Sequence, residues 1–259
     1  MANCPGKNSV AVAERTIGLI RALDRRIPDN VVEARAGHWN KKAFAQAAGI
    51  KNRRLGVIGI GSIGEEVIRR AHAFDLKVIA WSRSLTREDA DRMGVGWRST
   101  PMEVAADADI VTLHVAATPD TKHLANRAFF EAMSDGALFI NTTRASVVDE
   151  EALAWAVDIK DLWVGLDVMV GEPSQKEGDF AHPLAGHPNV YMTHHIGAST
   201  QQAQNATAQE AARVVTTYDE TGSVPTCVNL ATQTPATHQL TVRHRDNVGV
   251  LADVLDDLR

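Results

Sequence analysis

A glycine-rich segment at residues 53–67, RRLGVIGIGSIGEEV, constrains the fold more than any other part of the sequence. The apolar, β-branched run through Ile60 predicts a buried strand. Beyond it the apolar residues recur at helical spacing, at Ile63, Val67, Ala71 and Phe74. Because the period changes inside the glycines, the segment is predicted to form a strand, a tight turn and a helix.

A turn of this kind suits a dinucleotide. Gly59 is expected to make the tight turn, Gly61 to let the backbone approach a pyrophosphate, and Gly64 to let helix and strand pack closely. The free N–H groups at the helix start, near Ser62 and Ile63, would bind the phosphate. A plain tight turn without a ligand is the alternative, and the strand before and helix after the glycines favour the nucleotide site.

Composition argues against several classes of partner. A formal net charge of -5 over 259 residues disfavours a general nucleic-acid-binding surface, and the basic run at 51–54 is typical of a solvated strand entrance. The sequence shows neither an apolar run long enough to cross a membrane nor a signal-peptide pattern. Cys4 and Cys227 are far apart and lack metal-ligand spacing. We therefore expect a cytoplasmic protein with free thiols and no metal site, binding neither nucleic acid nor membrane.

Short apolar strands alternate with helical patterns along the chain. Strands are predicted at residues 76–81, 110–115, 137–141, 164–168 and 190–193. Helices are predicted at residues 10–27, where Pro28 should end the helix, and at 86–92, 102–107, 126–133 and 149–157. Residues 30–52 are predicted to form a surface excursion that covers the first helix. The alternation predicts an α/β fold with a doubly wound parallel sheet of the Rossmann type.

Ligands of such sheets bind outside the carboxyl ends of the strands. The reactive residues predicted at those ends are Ser82, Arg83, His114, residues 141–144, Asp167, Glu172, His194 and His195. A single histidine after a strand is more often a structural hydrogen-bonding group than a catalyst. Histidine, arginine and glutamate converging on one sheet edge favour a catalytic site.

Three separated motifs carry a resemblance to a known family. They are residues 141–153 (NTTRASVVDEEAL), residues 165–168 (GLDV) followed by Glu172 and Pro173, and residues 195–200 (HIGAST). In order and spacing they resemble the signatures of D-isomer-specific 2-hydroxyacid dehydrogenases, and the resemblance runs from about residue 8 to residue 229. It implies an oxidoreductase that transfers a hydride between NAD(P) and a D-2-hydroxy acid.

The resemblance also indicates a substrate. Residues 195–204 (HIGASTQQAQ) and the tail at 240–251 are similar to the branch of the family that carries an ACT regulatory domain and acts on 3-phosphoglycerate. Glyoxylate or hydroxypyruvate reduction is the alternative within the family. A second alternative is a non-catalytic dinucleotide-binding module, which would need none of the catalytic residues.

The resemblance assigns three catalytic roles. His195 exchanges a proton with the substrate oxygen, and Glu172 orients the imidazole and favours its protonated form. Arg144 binds the substrate carboxylate with its planar fork and polarises the reacting carbonyl. The alternative for Arg144 and Glu172 is a surface ion pair without function.

The cofactor is expected to be NAD or NADP. The residues expected to bind it are Gly59, Gly61, Ser62, Ile63, Gly64, Ser82, Arg83, His114, Thr142, Thr143, Asp167, His195 and Gly197. The family resemblance gives Asp167 the nicotinamide side. No carboxylate follows Trp81 at the end of the second strand, where NAD enzymes use one for the ribose hydroxyls. Arg83 could bind a 2′-phosphate, which predicts that NADP is accepted; stacking of Arg83 on adenine in an NAD enzyme is the alternative.

Three positions depart from the family pattern. Ala145 replaces a glycine, and its side chain would disfavour a positive φ angle. His194 replaces a proline, and we expect it to be a bystander because Ile196 and Gly197 fix the alignment on His195. Val248 replaces a proline of the regulatory domain and weakens that assignment.

The expected organisation is a dinucleotide-binding domain at 1–197 with a leading dimerisation helix, a substrate-domain helix at 198–222, a linker at 223–236 and part of an ACT-like domain at 237–259. The family implies further substrate-domain and regulatory-domain residues, so we expect the 259 residues to be a fragment of a longer enzyme. By themselves they should bind dinucleotide but turn over a 2-hydroxy acid poorly. We expect a homodimer or homotetramer, with apolar helix faces at the interface.

Overall fold

Seven short parallel strands form the centre of the computed structural model, which describes residues 1–173, 175, 177–229, 249, 250, 252 and 256. The strands are β1 (Arg54–Ile58), β2 (Lys77–Trp81), β3 (Gly96–Trp97), β4 (Ile110–Leu113), β5 (Leu138–Asn141), β6 (Trp163–Leu166) and β7 (Val190–Met192). Their order in the sheet is β3-β2-β1-β4-β5-β6-β7. The order reverses between β1 and β4, which makes this the switch point where doubly wound sheets bind ligands. The predicted Rossmann-type fold is confirmed.

Helices cover both faces of the sheet. They are α1 (Ser9–Arg25), α2 (Ile27–Arg35), α3 (Lys41–Phe44), α4 (Ser62–Ala73), α5 (Arg87–Arg92), α6 (Pro101–Asp107), α7 (Arg127–Ala132), α8 (Glu150–Lys160) and α9 (Gln201–Thr221). Two short 3₁₀ turns lie at Pro119–Thr121 and Ala145–Val147. The predicted helices and strands are present, with bounds that differ from the prediction by up to three residues.

The strands are apolar because both of their faces are buried. On one face, three phenylalanines make edge-to-face contacts with ring centroids 5.1–6.3 Å apart; they are Phe129, Phe130 and Phe139. On the other face, α1 packs against α4 and against β5 and β6. A Cβ atom at Gly165 in β6 would lie 3.2 Å from the Leu19 side chain, so the glycine lets α1 approach the sheet closely. Two apolar cores therefore hold the strand ends in place.

The prediction that Pro28 ends the first helix was wrong. α1 ends at Arg25, and Arg26 adopts a left-handed conformation with φ of 47°. Pro28 then lies in the first turn of α2, where the missing N–H of proline costs no helical hydrogen bond. The two-residue strand β3 had no signal in the sequence, because two residues cannot establish a periodicity.

Residues near both ends of the described chain pack against each other. Ala2 pairs in antiparallel fashion with Cys227, and Lys7 lies 3.3 Å from Glu210 of α9. A hydrogen bond from Arg213 and a weaker one from Lys7 lower the pKa of Glu210 to about 2. Half of the expected linker at 223–236 and almost all of the expected ACT-like tail at 237–259, including Val248, lie outside the described residues. No helix in the described ranges is long and apolar enough to cross a membrane.

Candidate functional site

The turn between β1 and α4 admits only glycine at two positions. Gly59 has φ of +97°, and a Cβ atom there would lie 2.6 Å from the backbone carbonyl of His114. A Cβ atom at Gly64 would lie 2.3 Å from the carbonyl oxygen of Gly59. Both contacts involve backbone atoms, which cannot move aside without shifting β4 or α4. The geometry at these two positions matches the tight turn and the close packing expected from the sequence.

The third glycine of the turn faces open space. A Cβ atom at Gly61 would meet nothing within 4 Å. Gly61 is the N-cap of α4, Ser62 is exposed and Ile63 is partly buried. The first N–H groups of a helix have no partner within the helix, and together with the helix dipole they attract an anion. The turn therefore has both the donors and the room that a pyrophosphate needs.

His114 follows β4 at the switch point and is part of the wall behind the turn. Its backbone N–H donates to the carbonyl of Ile58 at 2.7 Å, and its Nε2 lies 3.0 Å from the Thr112 hydroxyl. The Nδ1 atom is buried and has no hydrogen-bond partner among the described residues. Burial lowers the pKa of His114 to about 3, so the ring is neutral at physiological pH. Any contact it makes with a cofactor is that of an uncharged ring.

The residues after β2 are open to solvent. Ser82 lines a pocket of about 300 Å³ together with the carboxylates of Glu65 and Asp89. Arg83 is 75% exposed and its guanidinium lies 3.9 Å from Asp120, which is 80% exposed. An ion pair this exposed contributes little and leaves the arginine free to change partner.

The turn after β5 is organised by Asn141. Its Oδ1 accepts hydrogen bonds from the backbone N–H of Thr143 at 3.0 Å and from the Thr143 hydroxyl at 2.7 Å. Its Nδ2 donates to the carbonyl of Arg144 at 3.1 Å. The Thr142 hydroxyl lies 3.1 Å from the hydroxyl of Thr16 on α1, and both threonines of the turn are buried. The backbone that leads to Arg144 is therefore fixed from several sides.

Arg144 itself is exposed, and its Nη1 donates to the carbonyl of Thr143 at 2.6 Å. Ala145 begins a 3₁₀ turn, and its φ angle is not positive. An alanine in the place of the family's glycine therefore meets no strain from a positive φ angle at this position.

Asp167, after β6, holds the loop that follows β7. The carboxylate is 2% exposed and accepts hydrogen bonds from the Thr193 hydroxyl at 2.5 Å and from the N–H groups of Ile196 at 3.2 Å and Gly197 at 2.7 Å. A Cβ atom at Gly197 would lie 2.8 Å from the same carboxylate. Of the roughly four lone-pair positions of a carboxylate, three are used within the protein. Asp167 thus fixes the loop on which His195 lies.

Glu172 and His195 form a direct pair. The Nδ1 atom of His195 lies 2.7 Å from Oε2 of Glu172, and Oε1 of Glu172 accepts the N–H of Met169 at 2.8 Å. An ionised carboxylate only accepts hydrogen bonds, so Nδ1 is the donor and Nε2 is left for another partner. His195 has φ of 51°, a left-handed conformation that non-glycine residues seldom adopt and that often marks functional sites.

The pair opens into a cleft of about 900 Å³. The side chain of His195 is 46% exposed and that of Glu172 is 31% exposed, so a small molecule can reach both. The cleft is also lined by Met192, Phe180 and the exposed neighbour His194. Arg144 is not among the described residues that line it. The structure therefore brings Glu172 and His195 together. Arg144 lies at the same edge of the sheet, three residues after the end of β5, which pairs with β6.

Several residues of the site were missed by the sequence reasoning. Thr193 donates to Asp167, and Glu150 and His182 hold the loop that carries Glu172. Their hydrogen bonds join positions up to 32 residues apart, for which one sequence has no periodic signal. No group of three or more histidine, cysteine or acidic side chains in the described part of the chain is arranged to hold a metal ion.

Comparison with known proteins agrees with this geometry. The family described as "D-isomer specific 2-hydroxyacid dehydrogenase, NAD binding domain" matches residues 17–197. A D-3-phosphoglycerate dehydrogenase of Methanocaldococcus jannaschii is 37% identical over 205 residues, which cover 79% of this chain and 38% of the relative. A hydroxypyruvate reductase of Thermotoga maritima is 37% identical over 203 residues, covering 78% of this chain and 64% of the relative.

Solved structures show the same likeness. A glyoxylate reductase from Paecilomyes thermophila superimposes with a TM-score of 0.76 at 30% sequence identity, covering 87% of this chain and 66% of that chain. The chain spans less than two thirds of the length of both curated relatives. The fold, the glycine turn, the Glu172–His195 pair and the family match over residues 17–197 lead to one conclusion. The chain belongs to the D-isomer-specific 2-hydroxyacid dehydrogenases.

Proposed function

We propose that the protein is an oxidoreductase that transfers a hydride between a nicotinamide dinucleotide and a D-2-hydroxy acid. The observation that carries the proposal is the 2.7 Å contact between His195 Nδ1 and Glu172 Oε2 at the edge of an open cleft. A dinucleotide-binding module without turnover needs the glycine turn but has no use for an imidazole oriented by a carboxylate. The pair therefore favours the enzyme over the binding module.

In this proposal His195 is the general acid and base. Glu172 holds the Nδ1–H, so Nε2 exchanges a proton with the substrate oxygen. During reduction the imidazolium gives this proton to the carbonyl oxygen as the carbon receives the hydride. During oxidation the neutral imidazole takes the proton back from the hydroxyl.

The dinucleotide would lie against the glycine turn, where Gly61 leaves room and α4 presents its N-terminus. NAD or NADP would supply or accept the hydride. Ser82, His114, Thr142 and Thr143 stand at the carboxyl ends of β2, β4 and β5, along the edge that such a cofactor crosses. Asp167 has at most one lone-pair position left for the nicotinamide side and serves mainly to hold the His195 loop.

Arg144 would bind the substrate carboxylate. Its guanidinium is exposed and makes a hydrogen bond to Thr143 of its own turn, so it can exchange this contact for a substrate. A planar guanidinium fork binds a carboxylate through two parallel hydrogen bonds. Replacing Arg144 by lysine should therefore raise the KM for the oxo acid more than it lowers kcat, and steady-state kinetics would measure this split.

The substrate we propose is 3-phosphoglycerate, whose oxidation is the first step of serine biosynthesis. The support is that curated relatives such as the M. jannaschii protein are named D-3-phosphoglycerate dehydrogenase. Hydroxypyruvate or glyoxylate is the second candidate, because relatives with those reductase names are similar to this chain to a comparable degree. The deciding experiment is NADH oxidation with 3-phosphohydroxypyruvate, hydroxypyruvate and glyoxylate at equal concentrations. The relative rates rank the three substrates even where turnover is slow, and a rate that does not fall in His195→Ala would favour the binding module instead.

We also propose that Arg83 lets the protein accept NADP. Among the described residues, the guanidinium is held only by an exposed contact to Asp120. No carboxylate directly follows β2, although Glu65 and Asp89 line the pocket beside Ser82. Arg83→Ala should weaken NADPH binding by roughly tenfold, about 1.4 kcal/mol, and leave NADH binding unchanged. Lys122→Ala removes another exposed cation and is the matched control. Equal NADPH binding by Arg83→Ala and the unsubstituted protein would contradict this role of Arg83.

We further propose a homodimer. The surface of α2 exposes Ile27, Val31 and Val32, which are 46%, 41% and 65% accessible, next to the helix that was expected to lead the dimer interface. A second exposed apolar set lies on α9 at Val215 and Tyr218. Light scattering should give twice the monomer mass. Val32→Asp should lower the measured mass, which tests the surface of α2, and Val215→Asp tests the surface of α9 in the same way.

A further inference from the structure

Two carboxylates from different parts of the chain hold the same turn. Glu172 accepts the N–H of Met169 at 2.8 Å, and Glu150 accepts the N–H of the next residue, Val170, at 2.6 Å. Glu150 is the first residue of α8, whereas Glu172 lies in the loop that leaves β6. Two successive peptide N–H groups are thus bound by one carboxylate each.

Glu150 is held in turn by a buried histidine. Its Oε2 lies 3.1 Å from Nε2 of His182, whose side chain is only 3% exposed. Nδ1 of His182 accepts the N–H of Leu184 at 3.2 Å, so the ring proton is on Nε2 and is donated to Glu150. The Phe180 ring stacks on the imidazole with centroids 5.9 Å apart. The ring can therefore neither rotate nor exchange its donor and acceptor sides without losing contacts.

The turn needs this external support. Val170 is 57% exposed, so its side chain does not anchor the backbone, whereas Met169 is buried. Without Glu150, the Val170 N–H would be bound only by water or would compete for the Glu172 carboxylate. Glu172 has two oxygens and uses one for Met169 and the other for His195. A competing donor would weaken the contact with His195.

We propose that Glu150 and His182 are positioning residues, which fix the turn at residues 169–172 so that Glu172 reaches His195. The inference rests on the proposed role of the Glu172–His195 pair. A purely structural role is the alternative, in which Glu150 only complements the helix N-terminus of α8. The positioning role and the structural role differ in whether the loss of Glu150 changes the hydrogen bond that His195 makes to Glu172. Within the described residues, the His195 ring makes its hydrogen bond to Glu172 and none to Glu150 or His182.

The test is a histidine-ring ¹H–¹⁵N spectrum of the 259-residue protein, with the His195 signal assigned through His195→Asn. The Nδ1–H proton bound to Glu172 should be observed at low field and exchange slowly with water, and Glu172→Gln should remove it. Glu150→Gln keeps the shape of the side chain but turns one acceptor into a donor, so it cannot accept from both Val170 and His182. Glu151→Gln, at the exposed neighbouring position, is the matched control.

A second pair of variants acts on His182. His182→Gln retains a donor for Glu150 and is compared with His182→Leu, which does not. The proposal expects Glu150→Gln and His182→Leu to speed the exchange of the His195 proton by about tenfold or more, with Glu151→Gln and His182→Gln close to the unsubstituted protein. NADH affinity should stay within about twofold in all four.

Unchanged proton exchange in both Glu150→Gln and His182→Leu would overturn the inference. Should Glu150→Gln fail to fold, as judged by circular dichroism, the two His182 variants decide the question by the same criterion. The proposed function fails by a separate result, which is full turnover of the oxo acid by His195→Asn. The two failures are therefore distinguishable.

Discussion

The glycine turn and the acid-base cleft lie at the same edge of the sheet but are specified in different ways. In the turn, backbone packing sets the geometry, because Cβ atoms at Gly59 and Gly64 would lie 2.6 Å and 2.3 Å from backbone atoms. In the cleft, side-chain hydrogen bonds set it, with Asp167 and Glu150 holding the loops that present His195 and Glu172. The glycines of the turn lie within residues 59–64, whereas the cleft is assembled from side chains of distant segments.

The comparison teaches which substitutions should separate binding from chemistry. Changes in the turn should weaken dinucleotide binding, and at the packed positions Gly59 and Gly64 they should also lower the stability of β1 and α4. Changes in the cleft alter the orientation of single side chains, so they should affect turnover and leave the dinucleotide bound. Four substitutions test this division.

The largest effect is expected from His195→Ala. In a chain extended to the length of the curated relatives, removing the general acid and base should lower the rate of NADH oxidation with the 2-oxo acid by roughly two to four orders of magnitude. His194→Ala changes the adjacent exposed histidine of the same cleft and should have a far smaller effect. Rates are measured relative to the unsubstituted protein. A reversed order of the two variants would mean that the motif alignment at the end of β7 is wrong.

Gly64→Ala tests the close backbone packing of the turn. The new methyl group would press against the Gly59 carbonyl, so we expect a loss of about 3 kcal/mol in the free energy of unfolding together with a loss of NADH binding. Gly61→Ala is the control, because it adds the same methyl group in open space and should fold with normal stability. Urea denaturation compares the two, and equal stabilities would contradict the packing account.

Sequence reasoning succeeded where a local pattern determines the structure. The period change around the glycines predicted β1, the turn and α4, and the family motifs indicated Glu172 and His195 as partners. It failed at Pro28, because proline is as well suited to the first turn of a helix as to the end of one. It also missed the link from Glu150 to His182, which joins residues that only the folded sheet brings together.

Asp167→Asn should loosen the His195 loop. The NH₂ group of the new amide would face one of the N–H groups of Ile196 and Gly197, so one buried hydrogen bond would be lost. Such a loss costs about 1–3 kcal/mol. We expect a lower melting temperature and lower turnover. Asp179→Asn, at an exposed acidic position of the same β6–β7 connection, is the control. No change in melting temperature would show that the loop is held by other contacts.

The smallest effect concerns pH. Burial lowers the pKa of His114 from 6.5 to about 3, so the unfolded chain takes up a proton between these values that the folded chain does not. The stability associated with this residue is therefore complete above about pH 6.5 and is lost as the pH falls toward 3. His114→Gln should flatten the fall of melting temperature between pH 6.5 and about 4.5. Parallel curves for the variant and the unsubstituted protein would contradict the burial of a neutral His114.

The most direct test of the division between the two regions is a fluorescence titration of NADH into His195→Ala and Gly61→Ala. His195→Ala should bind NADH within about twofold of the unsubstituted protein, because the imidazole acts on the substrate. Gly61→Ala should fold normally but bind NADH at least about tenfold more weakly, a difference of about 1.4 kcal/mol, because its methyl group occupies the space left for the pyrophosphate. Normal binding by Gly61→Ala, or the loss of binding by His195→Ala, would contradict the account.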